Sequence, residues 1–144
     1  MIESQILQPV VALMAWTMVM WLWMYATRIP AMSKAGIEPN DARQTGKLDE
    51  ALPAEAQWKA HNYNHLHEAP TVFYAVALVL AMLGYGDGTN ALVAWIYVGL
   101  RVIHSLVQAT VNVVMVRFVL YALSSVALMV LIFHAAIVVF DIHM

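Results

Sequence analysis

An arginine in the middle of an apolar run limits what this chain can become. From Ala91 to about Val116 the sequence is dominated by Val, Leu, Ile and Ala, and at its centre stand Gly99, Arg101, His104, Ser105 and Gln108. The run is long enough to cross a bilayer. Arg101 lies about ten residues in, which is ~15 Å along a helix and close to the middle of a hydrocarbon core ~30 Å thick. A guanidinium at that depth is costly and cannot shed its charge by losing a proton. It requires a partner, a wet pocket or an anionic ligand.

Composition places the whole chain in the membrane. It is 62% hydrophobic and 11% charged over 144 residues, whereas soluble domains carry about 25% charged residues. One compact bundle accounts for the length. No basic stretch suits nucleic acid, so nucleic acid is not an expected partner. The absence of cysteine excludes disulfides, cysteine metal sites and a thiolate nucleophile of the chain's own.

Hydrophobic patterning predicts an all-α protein of four transmembrane helices, at about 6–27, 58–83, 91–113 and 116–140. The first run lacks a basic leader and exceeds a signal-peptide core of ~7–15 residues, so it reads as a retained span. Trp16, Trp21, Trp23 and Tyr25 in its second half read as lipid and interface anchors. Residues 28–57, with Pro30, Gly36, Pro39 and Gly46, read as a long polar loop with a short helix near its end. Pro70 predicts a kink in the second span. Gly84, Gly86, Gly88 and Asn90 mark a tight turn. Basic residues Arg28, Lys34, Arg43, Lys47 and Lys59 flank the first connection and Arg117 marks the third. The positive-inside rule then puts both connections in the cytoplasm and both termini outside.

Polar residues on the predicted helices share faces. With Arg101 at zero, His104 falls at ~300°, Ser105 at ~40°, Gln108 at ~340° and Asn112 at ~20°. On the second helix His61, Asn64, His67, Glu68 and Thr71 share a broad face. Glu68 and Arg101 come to similar depth on antiparallel neighbours, which predicts an ion pair between them. Arg117 opens the fourth helix, with Tyr121 one turn on and Ser124 beyond.

Two chemistries suit this set. His61 and His65 have the spacing of a histidine pair on a zinc helix, but His65 and His67 diverge by ~160° and no second pair follows. No metal is assigned, and His134 and His143 receive no role. The other chemistry is binding of a small anion by Arg101 and Arg117, with Asn64, His104, Gln108 and Tyr121 offering further hydrogen bonds. Such a site, open to the cytoplasm and walled by lipid-facing helices, would join a water-soluble molecule to a lipophilic substrate.

These residues carry a resemblance. Asn64, Glu68, Pro70 and Phe73, and more specifically Gly99, Arg101, His104, Arg117 and Tyr121, resemble the MAPEG family, membrane-associated proteins in eicosanoid and glutathione metabolism. The second set is similar to its prostaglandin E synthase branch, and bacterial members are the most similar overall. The resemblance implies a homotrimer in a bacterial inner membrane, with glutathione as co-substrate between subunits and a small hydrophobic substrate. It implies that Arg117 and Tyr121 act at the thiol and that Asn64, Glu68, Arg101, His104 and Gln108 bind glutathione. The activity implied is a glutathione-dependent transferase or peroxidase using an arginine-stabilised thiolate. The sequence also departs from the pattern. Ala60, His61 and Asn62 stand where basic residues are usual, Gln108 replaces a tyrosine and Phe118 replaces a hydroxyl. The alternative expectation is therefore a non-catalytic membrane protein of the same fold that binds a small anionic or lipid ligand.

Overall fold

A computed structural model describes residues 3–38, 40 and 45–141. Pro39, Arg43 and His143, considered above, lie outside the described residues. The described chain forms α1 (Leu7–Lys34), α2 (Thr45–Ala51), α3 (Ala54–His65), α4 (Ala69–Met82), α5 (Thr89–Ala109) and α6 (Val114–Val139). Four stretches are long and apolar enough to span a membrane: α1, α3 with α4 as one interrupted span, α5 and α6. Together they make an all-helical integral membrane protein.

Each span buries one stripe and leaves the rest for lipid. On α1 the stripe is Val10, Leu13, Met20 and Met24, while Val11, Met14, Met18 and Leu22 are exposed. α6 buries Ser124, Ala127, Leu128, Leu131 and Ala135 against its neighbours. Apolar exposure of this kind is the normal condition in lipid, where burial between helices gives no hydrophobic advantage and packing and polar contacts hold the bundle. Phe73 of α4 and Tyr97 of α5 stack at 4.5 Å between centroids near the middle of the core. Of the four expected aromatic anchors, Trp21 and Tyr25 are exposed, but Trp16 and Trp23 pack partly against the core. The Lys59 ammonium sits 5.6 Å from the Trp23 ring, so Trp23 also serves the α1–α3 contact.

Three local features fix how the spans meet. The N-terminal segment is clamped to the turn after α4. Ile6 N–H donates to the Gly86 carbonyl at 2.9 Å, and Gln5 N–H donates to the Asp87 carboxylate at 2.7 Å. A side chain at residue 86 has no room, because its Cβ would lie 1.9 Å from Ser4 Oγ. At the other end, Asn112 takes a left-handed conformation (φ 50°) in the link 110–113 and turns α5 back into α6. Asparagine tolerates that region better than most residues. The first helix runs on to Lys34, so Arg28 and Pro30 are helical and the polar connection is shorter than the sequence predicts. Gln57 Nε2 donates to the Leu48 carbonyl at 2.5 Å and ties α2 to the start of α3.

The expected kink at Pro70 is a full break. Pro70 sits in the first turn of α4, where its missing N–H is one of several that have no helical partner. The chain leaves helical geometry at Glu68 (φ −94°, ψ −103°). Its N–H reaches back only to the His65 carbonyl, at 3.3 Å. In an unbroken helix that carbonyl would take the N–H of residue 69. Here it is available to another helix.

Candidate functional site

α5 presents its polar stripe inward. Arg101, His104, Ser105 and Gln108 are buried and Asn112 half-buried, while Leu92, Ile96, Ile103 and Leu106 on the opposite side are exposed. Arg101 is 1% exposed, the largest fully buried side chain of the bundle. Its Nη2 donates to the His65 carbonyl at 3.1 Å, the acceptor released by the break between α3 and α4. Its guanidinium carbon lies 5.7 Å from the centroid of the Tyr121 ring. A cation so placed is attracted by the ring face.

The expected Glu68–Arg101 ion pair does not form. The carboxylate of Glu68 lies 2.9 Å from His65 Nδ1 instead, and its side chain is 60% exposed. The reason is the helix break. Glu68 stands just before α4 with its side chain turned outward and making no cap bond, and the backbone carbonyl of His65 takes the place assigned to its carboxylate. The rest of the expected polar face shares this fate. His61, Asn64, His67 and Thr71 are, like Glu68, exposed on α3, the break and the start of α4. His67 Nδ1 pairs with the Tyr63 carbonyl at 2.9 Å, and Thr71 Oγ1 donates to the Glu68 carbonyl at 2.6 Å.

What faces α5 from α3 is Asn62, fully buried, whose Oδ1 accepts from Ser105 Oγ at 3.0 Å. Asn62 was overlooked because the patterning argument grouped the polar residues of this helix on one face. It belongs with Leu66, four residues on, a buried neighbour that marks the packed side.

A cavity of about 250 Å³ opens beside this arrangement, lined by His65, His104, Val114, Arg117, Phe118 and Tyr121. His104 is the hub: its ring centroid is 6.3 Å from that of His65 and 6.4 Å from that of Tyr121. Arg117 Nη1 donates to Asn112 Oδ1 in a short contact, so the turn residue also positions the arginine. Of the expected site residues, His104, Arg117 and Tyr121 line the cavity and Arg101 lies against Tyr121. Gln108 is buried one turn beyond His104 on the same stripe. Asn64 is exposed and is not among the lining residues, and Glu68 is linked to the wall by its contact with His65. His65, Val114 and Phe118 complete the wall. His65 carries a signal in sequence, its place just before the proline break, while the two apolar members carry none among so many apolar residues.

The polar inventory around the cavity is unbalanced. Arg101 Nε and Nη1, Arg117 Nε and Asn62 Nδ2 are buried donors with no hydrogen-bond partner among the described residues. Gln108 Oε1 and His104 Nδ1 are likewise unmatched. Buried polar groups in native proteins are nearly always satisfied, and exceptions point to a ligand, ion or water. A surplus of guanidinium donors suits an anionic ligand, and carboxylates in particular, which arginine meets with parallel hydrogen bonds.

The family model of the MAPEG family matches residues 6–137, which take in three spans, all but the last two residues of α6 and every lining residue of the cavity. No curated protein and no solved structure matches the chain.

Proposed function

The chain belongs to the MAPEG family, and from that premise we propose that it is a glutathione-dependent transferase or peroxidase acting on lipophilic electrophiles or hydroperoxides. The observation that carries the reading is the set of unmatched guanidinium donors of Arg117, which lines a cavity with His65, His104 and Tyr121, and of Arg101, buried behind Tyr121. Glutathione fits that set: it brings two carboxylates for the buried donors and a thiol whose anion a guanidinium stabilises. Arg101, His104 and Gln108 would hold the peptide. Arg117 and Tyr121 would face the sulfur. A cation beside a thiol favours the thiolate, the nucleophilic form. The cavity lies against helices whose outer faces are apolar, which suits a substrate arriving through lipid.

The same reading includes a homotrimer in a bacterial inner membrane, with the site toward the cytoplasm and both termini outside. Two observations support an assembly. The stripe of His61, Asn64, His67, Glu68 and Thr71 is exposed on a span of a single chain, and lipid is a poor neighbour for ionisable groups. The cavity of about 250 Å³ also falls just below the usual range for small-molecule sites, ~300–1,000 Å³, as expected if a second copy completes its wall.

The test is turnover in detergent with glutathione plus an aryl halide or an alkyl hydroperoxide. The wild type should conjugate or reduce one of them, and Arg117→Ala should lower kcat by about 100-fold, the typical loss for one electrostatic stabiliser. A folded wild type that neither binds nor consumes glutathione would overturn the reading. That outcome would favour the non-catalytic binding protein, which the departures at His61, Asn62 and Phe118 also suit.

A further inference from the structure

The pairing of His65 with Glu68 also bears on chemistry at the cavity. His65 ends α3, Glu68 precedes α4, and the break brings His65 Nδ1 and the carboxylate to 2.9 Å. An ionised carboxylate only accepts hydrogen bonds, so Nδ1 carries the hydrogen. The neutral ring then keeps its lone pair on Nε2, and the ring lines the cavity that Arg117 and Tyr121 share. A histidine whose Nδ1 is oriented by a carboxylate and whose ring lines a cavity is the arrangement of a general base. The backbone carbonyl of the same residue accepts from Arg101 Nη2 at 3.1 Å, which anchors the main chain at the break.

We propose that His65, oriented by Glu68, is the base that takes the proton from the thiol bound beside Arg117. The inference rests on the thiol-transfer reading above. His65 Nε2 accepts the proton, and the electron pair of the S–H bond stays on sulfur as the thiolate. Glu68 stabilises the imidazolium across Nδ1, while Arg117 stabilises the thiolate. With an epoxide as substrate, a sulfur–carbon bond forms as the carbon–oxygen bond breaks, and His65 returns its proton to that oxygen. No outside acid, base or oxidant is needed.

His104 is the competing candidate on the same wall. It is 4% exposed, its Nδ1 has no hydrogen-bond partner among the described residues, and Arg101 and Arg117 lie on its side of the cavity. It therefore lacks the carboxylate that would stabilise a gained proton. Among the described residues, the charged and titratable groups around His65 include His61 one turn back on α3, Glu68 at the break, Arg101 and His104 from α5, and Arg117 and Tyr121 from α6. Glu68 is the anion among them.

The experiment mixes purified protein with glutathione in weak buffer and follows thiolate absorbance together with a pH-indicator dye. In the wild type, thiolate should form with little proton release, because His65 retains the proton. In His65→Gln the retained proton should be lost, so each thiolate that forms releases a proton, and kcat should fall about 100-fold, within the range for removal of a general base. Glu68→Gln, which alters an exposed side chain, should shift the wild-type behaviour the same way and serves if His65→Gln does not fold. A wild type that releases a full proton for each thiolate overturns the role of His65 while leaving the transferase reading intact. Proton retention that persists in folded His65→Gln also overturns it. A wild type that forms no thiolate overturns both.

Discussion

Arg101 shows how a membrane protein tolerates a charge the bilayer excludes. Its guanidinium is held by one backbone carbonyl and one aromatic face, and two of its nitrogens have no hydrogen-bond partner among the described residues. That division of labour argues for a residue built to receive a ligand. Arg101→Lys tests it. Lysine keeps the charge but loses the planar fork, so a hydrogen bond to a charged group worth about 1.5–3 kcal/mol is at stake. Glutathione affinity measured by calorimetry should fall at least tenfold, with the protein still folded. An unchanged affinity would make Arg101 a purely structural charge. At this scale the α5 stripe was legible from spacing alone, because one face of a regular helix obeys a fixed period. The partner of Arg101 was not. Periodicity assigns faces only while the helix continues, and the break at Glu68 exchanged a side-chain carboxylate for a main-chain carbonyl.

At the scale of elements, the interruptions do the positioning. Pro70 announces one of them in sequence, although whether a proline bends a span or breaks it depends on what its neighbours offer the released carbonyls. Asn112 provides another, joining α5 to α6 and holding Arg117. The clamp at the opposite end of the bundle depends on Gly86, where a β-carbon would collide with Ser4 Oγ and Ile6 Cγ2. Gly86→Ala should therefore displace the N-terminal segment and cost about 1–3 kcal/mol, the usual penalty of overpacking. Thermal unfolding in detergent should show a lowered midpoint. Glutathione turnover per folded molecule should be preserved, since the clamp is remote from the cavity. An unchanged midpoint would mean that the N-terminal segment contributes nothing to stability. The glycine cluster marks the turn in sequence; its close approach to Ser4 becomes visible only in three dimensions.

For the whole molecule, composition and hydropathy were sufficient to identify four spans, because a bilayer imposes length and apolarity on whatever crosses it. The first connection was harder to read: polarity suggested loop, yet α1 extends through Arg28 to Lys34. The exposed stripe from His61 to Thr71 makes its own prediction. On the proposed assembly a second copy of this chain covers it, so mass measurement of the detergent-solubilised protein should give a trimer, and Asn64→Arg should shift the population toward smaller species. A stable monomer that retains turnover would contradict that assembly.

On the proposed function, the cavity beside Arg117 holds a thiol substrate with its sulfur at the guanidinium. A structure determined with bound glutathione tests this directly. The account predicts the sulfur within hydrogen-bond reach of Arg117, a carboxylate on the unmatched nitrogens of Arg101, and the His65 ring facing the sulfur. Glutathione bound elsewhere on the molecule, or a cavity filled by lipid at saturating glutathione, would contradict it.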